Sequence, residues 1–286
     1  MGMNRRKMVQ SGTAAAVGAT LPALAVGANN QDDAFEASFL DTLTQLRAVF
    51  AGLGFAERNP LSIATGDERY NGGLRHDFDQ SDLPSGGFVI QPLARVAGVD
   101  EKTRPDVLPL FHEVGCHPSG EITGQDATLL MLRVLVEDFG LNPARLAFVS
   151  VPQSDQMRSV FDKSGLPFDQ KVFLRNELEA LAAQDASGYF FPDPFGDAYV
   201  LTMGVYYQVG DTNEPAPEIY PPSDHWTEIG EIVLGNDITP PGLSIGAERL
   251  TYAVSGQFPT WDERLQALFA EVEQDGAEPP GLLAFR

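Results

Sequence analysis

The stretch Gly242-Leu-Ser-Ile-Gly-Ala-Glu-Arg-Leu250 joins a short apolar run to an amphipathic helix through two small residues, Gly246 and Ala247. The apolar run indicates a strand, and the letters that follow, GAERLTYAVSGQF, have helical spacing. A strand that passes into a helix through small residues lets a ligand approach the backbone and the helix N-terminus. Arg249 lies in the first helical turn, where the helix dipole disfavours a cation. An anionic ligand would explain this arginine, and a solvated strand–helix junction is the alternative.

Length, composition and charge exclude several classes of protein. The chain has 286 residues, of which 43% are hydrophobic, and this composition is typical of a globular protein with a substantial core. Its formal net charge of -21 would repel phosphate backbones, so we do not expect this chain alone to bind nucleic acid tightly. The single cysteine, Cys116, excludes an intramolecular disulfide and a cysteine-rich zinc cluster, and we expect a half-buried thiol.

Three segments are expected along the chain. Residues 1–30 carry Arg5-Arg6-Lys7 ahead of an Ala/Gly-rich apolar run, which is typical of an export signal of the twin-arginine type. A mis-assigned start codon is the alternative, and the protein would then be cytoplasmic. Residues 31–272 are expected to form one domain, and residues 273–286 a tail rich in proline and glycine.

Helices and strands are mixed along this domain without regular β-α-β alternation. Apolar spacing predicts helices at 35–53, 127–140 and 155–164, and strands at 88–96, 107–114, 145–151, 171–175, 198–208 and 227–236. Asp126 is predicted as the N-cap of the second helix and Gly140 as its C-cap. The mixture predicts an α+β fold with a mainly antiparallel sheet flanked by helices.

Five stretches, taken in order, resemble the catalytic domain of alanyl-tRNA synthetases, which belong to class II of the aminoacyl-tRNA synthetases. They are FEASFLDTLTQLRAVFAGLGF (35–55), QPLARVAG (91–98), FHEVGCHPSGEITGQDATLLMLRVLVEDFGLNPARLAFVSV (111–151), QVGDTNEPAPEIY with HWTEIGEIVLGN (208–220 and 225–236) and SIGAERL (244–250). QPLARVAG is similar to the motif 2 strand of the class, and SIGAERL to its motif 3. The resemblance implies a class II fold that binds ATP, Mg²⁺ and a small amino acid.

The resemblance also implies roles for the residues that bind ATP. Arg95 falls on the motif 2 arginine, which grips the α-phosphate, and Arg249 falls on the motif 3 arginine, which lies along the phosphates. Glu248 precedes Arg249 in motif 3 and is expected at the same ATP edge. Attack of a carboxylate on the α-phosphate builds negative charge, which two positioned guanidiniums and Mg²⁺ would stabilise.

The implied amino-acid pocket differs more from the family. Tyr207 falls where the family has a tryptophan, and Asp211 and Glu218 lie on the loop that borders the pocket. Glu231 falls on the family's pocket asparagine, and Gly242 falls on the aspartate that holds the substrate ammonium. Because a buried amine needs a carboxylate, Glu231 is expected to take over that contact. Loss of the activation chemistry is the alternative.

Two functions are therefore open. The first is a ligase that forms an aminoacyl-adenylate and passes the acyl group to a tRNA, a carrier or a small molecule. The second is a non-catalytic, exported binding or regulatory protein that has kept the fold. Either is compatible with a homodimer. A metal cluster of His112, Glu113, Cys116 and His117 is not expected, because their spacing fits no zinc template.

Overall fold

The computed structural model describes residues 32–60, 63, 86–94, 108–118, 122–176, 190–192, 199–209, 225–235 and 240–275. Its α-helices are α1 (Asp32–Gly52), α2 (Gly124–Leu132), α3 (Arg158–Lys163), α4 (Phe168–Lys171), α5 (Ala247–Ser255) and α6 (Trp261–Asp275). A π-helical segment, Arg133–Asp138, continues α2, and short 3-10 helices lie at Pro143–Arg145 and Pro152–Met157. Within these ranges no helix combines the length and the apolar character needed to cross a membrane.

The strands form one layer. They are β1 (Ala56–Arg58), β2 (Gly87–Ala94), β3 (Leu110–His117), β4 (Leu146–Ser150), β5 (Val172–Leu174), β6 (Phe190–Pro192), β7 (Tyr199–Gln208), β8 (Trp226–Val233) and β9 (Gly242–Gly246). Neighbours follow the order β1-β2-β3-β9-β8-β7-β4-β5, and β6 pairs with β7. Among these strands β1–β2 and β4–β5 are parallel and the other pairs antiparallel. The predicted α+β fold, a mainly antiparallel sheet flanked by helices, is confirmed.

The two faces of the sheet have different chemistry, because side chains alternate along each strand. One face, which we call the helix face, carries apolar residues that form the main core with α1, α2, α3 and α5; its central members are Val114, Ile245, Ile232 and Val205. The opposite face, which we call the polar face, carries Gly115, Ser244, Glu231 and Gly204 in one row across β3, β9, β8 and β7.

Most of the predicted elements are present, and the cap of α2 needs a correction. Asp126 is not the N-cap. Thr123 is the N-cap, and Asp126 is the third residue of the helix. Their capping box is reciprocal, with Thr123 Oγ1 accepting from the Asp126 amide at 3.2 Å and Asp126 Oδ2 accepting from the Thr123 amide at 2.8 Å. Gly140 has φ +67° and follows the helical segment as the left-handed residue expected at such an end.

The described part of the chain ends with a helix, α6, that was not predicted from the sequence. In α6 the apolar residues Trp261, Leu265, Leu268 and Val272 recur at helical spacing. A capping box starts it, in which the Thr260 amide donates to the Glu263 carboxylate at 2.6 Å. The helix ends at Asp275, so helical structure extends three residues into the segment 273–286 that was expected to be a tail.

Cys116 is fully buried on the helix face and not half-buried as expected. Burial raises the pKa of its thiol far above the usual range, because the thiolate is poorly solvated there. We therefore expect the native protein to be inert to a disulfide reagent such as DTNB at pH 8, and to react fully once unfolded in guanidinium chloride. Reaction of the native protein at the rate of a free thiol would contradict this placement.

Candidate functional site

Arg249 folds back from the start of α5 onto the polar face. Helix α5 begins at Ala247 behind Gly246, and Gly246 makes no side-chain cap. A Cβ built at Gly246 would lie 3.6 Å from Arg249 Cδ, so the arginine stem runs over this glycine. Arg249 Nη1 donates to the Glu228 carbonyl oxygen at 3.1 Å and lies 3.4 Å from Glu228 Oε2. The guanidinium is thus tied to β8, with 19% of the side chain exposed.

A β-bulge in β8 brings two carboxylates to the polar face. Val205 pairs with Gly230, but Tyr206 pairs with Glu228, so Ile229 is an extra residue in β8. In a regular strand, residues three apart point to opposite faces. Because of the bulge, Glu228 and Glu231 lie on the same face, and both are partly exposed. The polar face therefore presents the Arg249 guanidinium beside two carboxylates.

Glu231 stands in a row with few large neighbours. It pairs with Ser244 on β9 and with Gly204 on β7, and Ser244 pairs with Gly115 on β3. The two glycines add no side chains to the row. Glu231 and Ser244, both partly exposed, are therefore its polar groups, and they could bind an ammonium or a hydroxyl of a small ligand.

Glu248 points to the other side of the sheet and belongs to a buried ionic cluster. Its Oε2 accepts from the His112 amide at 2.8 Å, and its Oε1 lies 2.9 Å from His112 Nδ1. Oε1 also accepts a hydrogen bond from Arg264 Nη2. Arg264 in turn donates from Nε to the Leu110 carbonyl at 3.2 Å. We call these three charged or polar side chains the Glu248–His112–Arg264 cluster.

The surroundings of this cluster set the charge of Glu248. Glu248 is 1% exposed and Arg264 5%. Burial alone raises the pKa of the Glu248 carboxyl, but His112 and Arg264 outweigh burial and hold that pKa below its ordinary value of 4.5. The ring of Phe39 lies 5.2 Å from the His112 ring and 5.4 Å from Arg264 Cζ, which seals the cluster under α1. Four elements, α1, β3, α5 and α6, therefore meet at one buried ion pair.

From the resemblance to motif 3 we expected Glu248 and Arg249 to lie together at the ATP site. In the structure their side chains point to different sides of the sheet. Consecutive helical residues diverge by about 100°, so Glu248 enters the helix layer while Arg249 reaches the polar face. Arg264, the buried partner of Glu248, was not among the expected site residues. The Thr260–Glu263 capping box was the sequence signal that could have placed it in a helix.

The structure does not bring Tyr207 together with Glu231 and Arg249. Tyr207 is 5% exposed and packs in the main core on the helix face. Its neighbour Tyr206 lies on the polar face and packs with Trp226 and Val149 in a second apolar cluster. Tyr207 therefore has no direct access to a ligand held on the polar face.

Gly242 has a neighbour that fills the space of a side chain. A Cβ at Gly242 would lie 2.8 Å from His117 Nδ1 and 2.9 Å from the Cys116 carbonyl oxygen. The position that the resemblance matches to an ammonium-binding aspartate is thus occupied by the His117 ring.

The other expected residues lie outside the part of the chain that the structure describes. They are Arg95, Asp211, Glu218 and the whole leader at 1–30. Within the described ranges no group of three or more His, Cys, Asp or Glu side chains is placed to hold a metal ion. Of the four residues weighed for a metal cluster, His112 and Cys116 lie on the helix face, and Glu113 and His117 on the polar face.

Comparison with known proteins finds similarity to solved structures alone. No protein-family model and no curated protein matches the chain. Asparaginyl-tRNA synthetase from Pyrococcus horikoshii complexed with asparaginyl-adenylate is 14% identical, with a TM-score of 0.40 over 78% of this chain and 65% of that one. Apo histidyl-tRNA synthetase from S. aureus is 12% identical, with a TM-score of 0.44 over 91% of this chain and 82% of that one.

A second structure of the P. horikoshii asparaginyl-tRNA synthetase is 12% identical, with a TM-score of 0.36 over 79% of this chain and 65% of that one. The chain therefore spans just under two thirds of the length of the asparaginyl enzyme. Similarity at this level says nothing about the activity or the substrate of the present chain.

Proposed function

We propose that the protein binds ATP with Mg²⁺ and a small amino acid and joins them as an aminoacyl-adenylate. The observation that supports this best is the polar face itself, where the partly exposed Arg249 guanidinium and the partly exposed Glu231 carboxylate lie on one side of the sheet. A guanidinium suits a phosphate, and a carboxylate suits the ammonium of an amino acid. The resemblance to alanyl-tRNA synthetase catalytic domains implies the same pair of ligands.

In the proposed reaction no side chain of the protein forms a covalent bond. A carboxylate oxygen of the amino acid attacks the α-phosphorus of ATP, the new P–O bond forms, and pyrophosphate leaves. Negative charge increases on the phosphoryl oxygens during this step, and a positioned guanidinium such as Arg249 stabilises it. Bound together with ATP, Mg²⁺ would supply further neutralisation of phosphate charge, and the Glu228 carboxylate would offer it oxygen ligands of the type it prefers. The acyl acceptor would be a tRNA, a carrier or a small molecule.

Arg249→Ala is expected to weaken the binding of ATP·Mg²⁺ by about 10- to 100-fold, the effect of losing a charge-assisted hydrogen bond. Isothermal titration calorimetry measures it. The matched control is Arg158→Ala, which removes an exposed arginine on α3 that is paired with Asp155 and Asp169 and should leave ATP binding unchanged. ATP binding that is equal in both variants would contradict the role of Arg249.

Amino-acid-dependent exchange of pyrophosphate into ATP tests the chemistry itself. Each proteinogenic amino acid is supplied in turn to folded protein. Exchange with at least one of them supports the ligase, and the absence of exchange with all of them would rule out the proposed reaction.

The second candidate is a non-catalytic, exported binding or regulatory protein. Two observations favour it: the His117 ring fills the space beside Gly242, and the Glu228 carboxylate lies 3.4 Å from Arg249 Nη1 and offsets its charge. The leader-like residues 1–30 agree with it, because ATP is scarce outside the cytoplasm. Cell fractionation with N-terminal sequencing of the mature protein, combined with the calorimetry above, distinguishes it: a cleaved, exported protein without ATP affinity would establish this candidate.

A further inference from the structure

We propose that Arg264 is a positioning residue for Arg249. Through its buried ion pair with Glu248 it fixes the first turn of α5, and that turn sets the direction in which the Arg249 side chain crosses to the polar face. The inference rests on the proposed function in one respect only, namely that Arg249 is the group that binds the anion.

The first turn of α5 needs an outside support. The first amides of a helix have no partner within it, and a polar side chain at the N-cap usually binds one of them. Gly246 holds the N-cap position here and has no side chain to do so. The carboxylate of Glu248, the second helical residue, is instead tied to β3 through the His112 amide and to α6 through Arg264.

The connection from Arg264 to Arg249 is short. Arg264 is itself anchored, because its Nε donates to the Leu110 carbonyl on β3. It holds the Glu248 carboxylate on the helix face, so the next side chain must project about 100° around the helix axis. That direction carries Arg249 over Gly246 to the Glu228 carbonyl. Release of Glu248 would let the uncapped first turn shift and would change the aim of Arg249.

A buried ion pair is a weak explanation of stability alone. Desolvation of the two charges offsets much of their attraction, and apolar residues of the same volume often serve as well or better. We therefore explain the charged residue at position 264 by its geometry. The planar guanidinium of Arg264 donates to two acceptors, Leu110 O and Glu248 Oε1, in a fixed arrangement. Lysine has one ammonium and cannot reproduce that arrangement.

The experiment compares Arg264→Gln and Arg264→Lys with a control on the same helix. Leu268→Ala removes a fully buried side chain of α6 that packs in a separate apolar cluster with Leu110 and Val272, so it lowers the stability of the protein while every hydrogen-bonding atom of the Glu248–His112–Arg264 cluster stays in place. Two readouts are used below the unfolding temperature of every variant. One is the affinity for ATP·Mg²⁺, and the other is the ¹H–¹⁵Nε NMR signal of Arg249, assigned by its loss in Arg249→Lys.

The expected result is specific to position 264. In Arg264→Gln the Arg249 Nε signal moves toward that of a solvated arginine and ATP binding weakens about 10- to 100-fold, as for a misplaced binding group. Arg264→Lys gives intermediate values, and Leu268→Ala keeps both readouts of the wild type despite its lower stability. An unmoved Arg249 signal in Arg264→Gln, or an equal change in Leu268→Ala, would overturn the inference.

Failure of the proposed function is distinguishable from failure of this inference. If the wild type does not bind ATP, the ligase proposal falls and the NMR signal still decides whether Arg264 sets the position of Arg249. If Arg264→Gln does not fold, Arg264→Lys decides in its place: an Arg249 signal identical to that of the wild type would overturn the inference.

Discussion

Glu248→Gln is expected to lower the free energy of unfolding by about 3–5 kcal/mol, the cost of breaking a buried ion pair by neutralising one partner. The amide is nearly isosteric with the carboxylate, so it leaves no cavity, but it leaves the Arg264 guanidinium, 5% exposed, without its counter-charge. The four elements that meet at the cluster should all lose support. Chemical unfolding followed by circular dichroism measures the loss.

The difference in free energy of unfolding between wild type and Glu248→Gln is expected to depend on pH. The direction of this dependence follows from the pKa of the Glu248 carboxyl. Its pKa in the folded protein lies below the ordinary value of 4.5. A carboxyl with a lowered folded-state pKa contributes stability above its unfolded-state pKa and loses that contribution as the pH falls through the folded-state value. The stability gap should therefore be full from about pH 5 upward and should narrow on further acidification.

The control for this variant is Glu36→Gln, the same chemical change at an exposed position on α1. It should alter the free energy of unfolding by no more than about 0.5 kcal/mol, as is usual at exposed positions. A gap between wild type and Glu248→Gln that equals the effect of Glu36→Gln, or that widens below pH 4, would show that the cluster is not a structural ion pair.

Local sequence signals predicted much of the fold. The apolar run before Gly246 and the helical spacing after it predicted β9 and the start of α5 to within a residue, whereas α5 ends at Ser255, three residues before the predicted end at Phe258. Alternation predicted β7 at 198–208, and it is observed at Tyr199–Gln208. These elements follow from residues that are adjacent in sequence, which is why a single sequence can reveal them.

The arrangement of the candidate site was harder to predict from the sequence, because it depends on the pairing of strands that are distant along the chain. Ile229 is a bulge only with respect to its partner strand, and the bulge decides that Glu228 joins Glu231 on the polar face. A shift of one residue exchanges the faces of a strand. The same sensitivity explains why Tyr207 was expected at the ligand and is found in the core, while Tyr206 lies on the polar face.

Arg249 and Glu248 show that neighbouring residues of one sequence motif can have different structural roles. The unfavourable position of Arg249 near a helix N-terminus indicated an anionic ligand or a solvated junction, and the structure shows its guanidinium bound to Glu228. The direction of Glu248 depended on His112 and Arg264, which are distant from it in sequence. Chain neighbours in a motif can therefore serve opposite sides of a sheet, and their roles follow from the partners that tertiary structure supplies.

Gly230→Ala is expected to destabilise the protein by about 3 kcal/mol, at the upper end of the range for overpacking. A Cβ at position 230 would clash with the carbonyl oxygen of Ser244 and would lie 3.2 Å from Met131 Cε. The methionine end can move, but the carbonyl belongs to the backbone of β9, which pairs with both β8 and β3. Relief therefore requires β8 and β9 to separate or the bulge to migrate along β8.

The matched control is Gly246→Ala in the neighbouring strand. Gly246 has φ -74°, which alanine adopts freely, and its added Cβ would meet Arg249 Cδ at an ordinary 3.6 Å. Because alanine is a poorer N-cap than glycine, this variant should lose up to about 1 kcal/mol in denaturant unfolding, well below the loss in Gly230→Ala. Equal stabilities of the two variants would contradict the tight contact at Gly230.

Gly230→Ala should also separate the two carboxylates of the polar face. The bulge is the feature that turns Glu228 and Glu231 to the same side, and Glu228 is the residue that Arg249 contacts. If relief occurs by migration of the bulge, hydrogen exchange will quicken at the amides of β8 and β9, while amides in β2 keep their protection. The folded fraction of this variant should then bind ATP·Mg²⁺ more weakly than Gly246→Ala does, because Arg249 loses the strand against which it is held. Unchanged exchange in β8 and β9 would mean that the sheet absorbs the extra methyl group without moving the bulge.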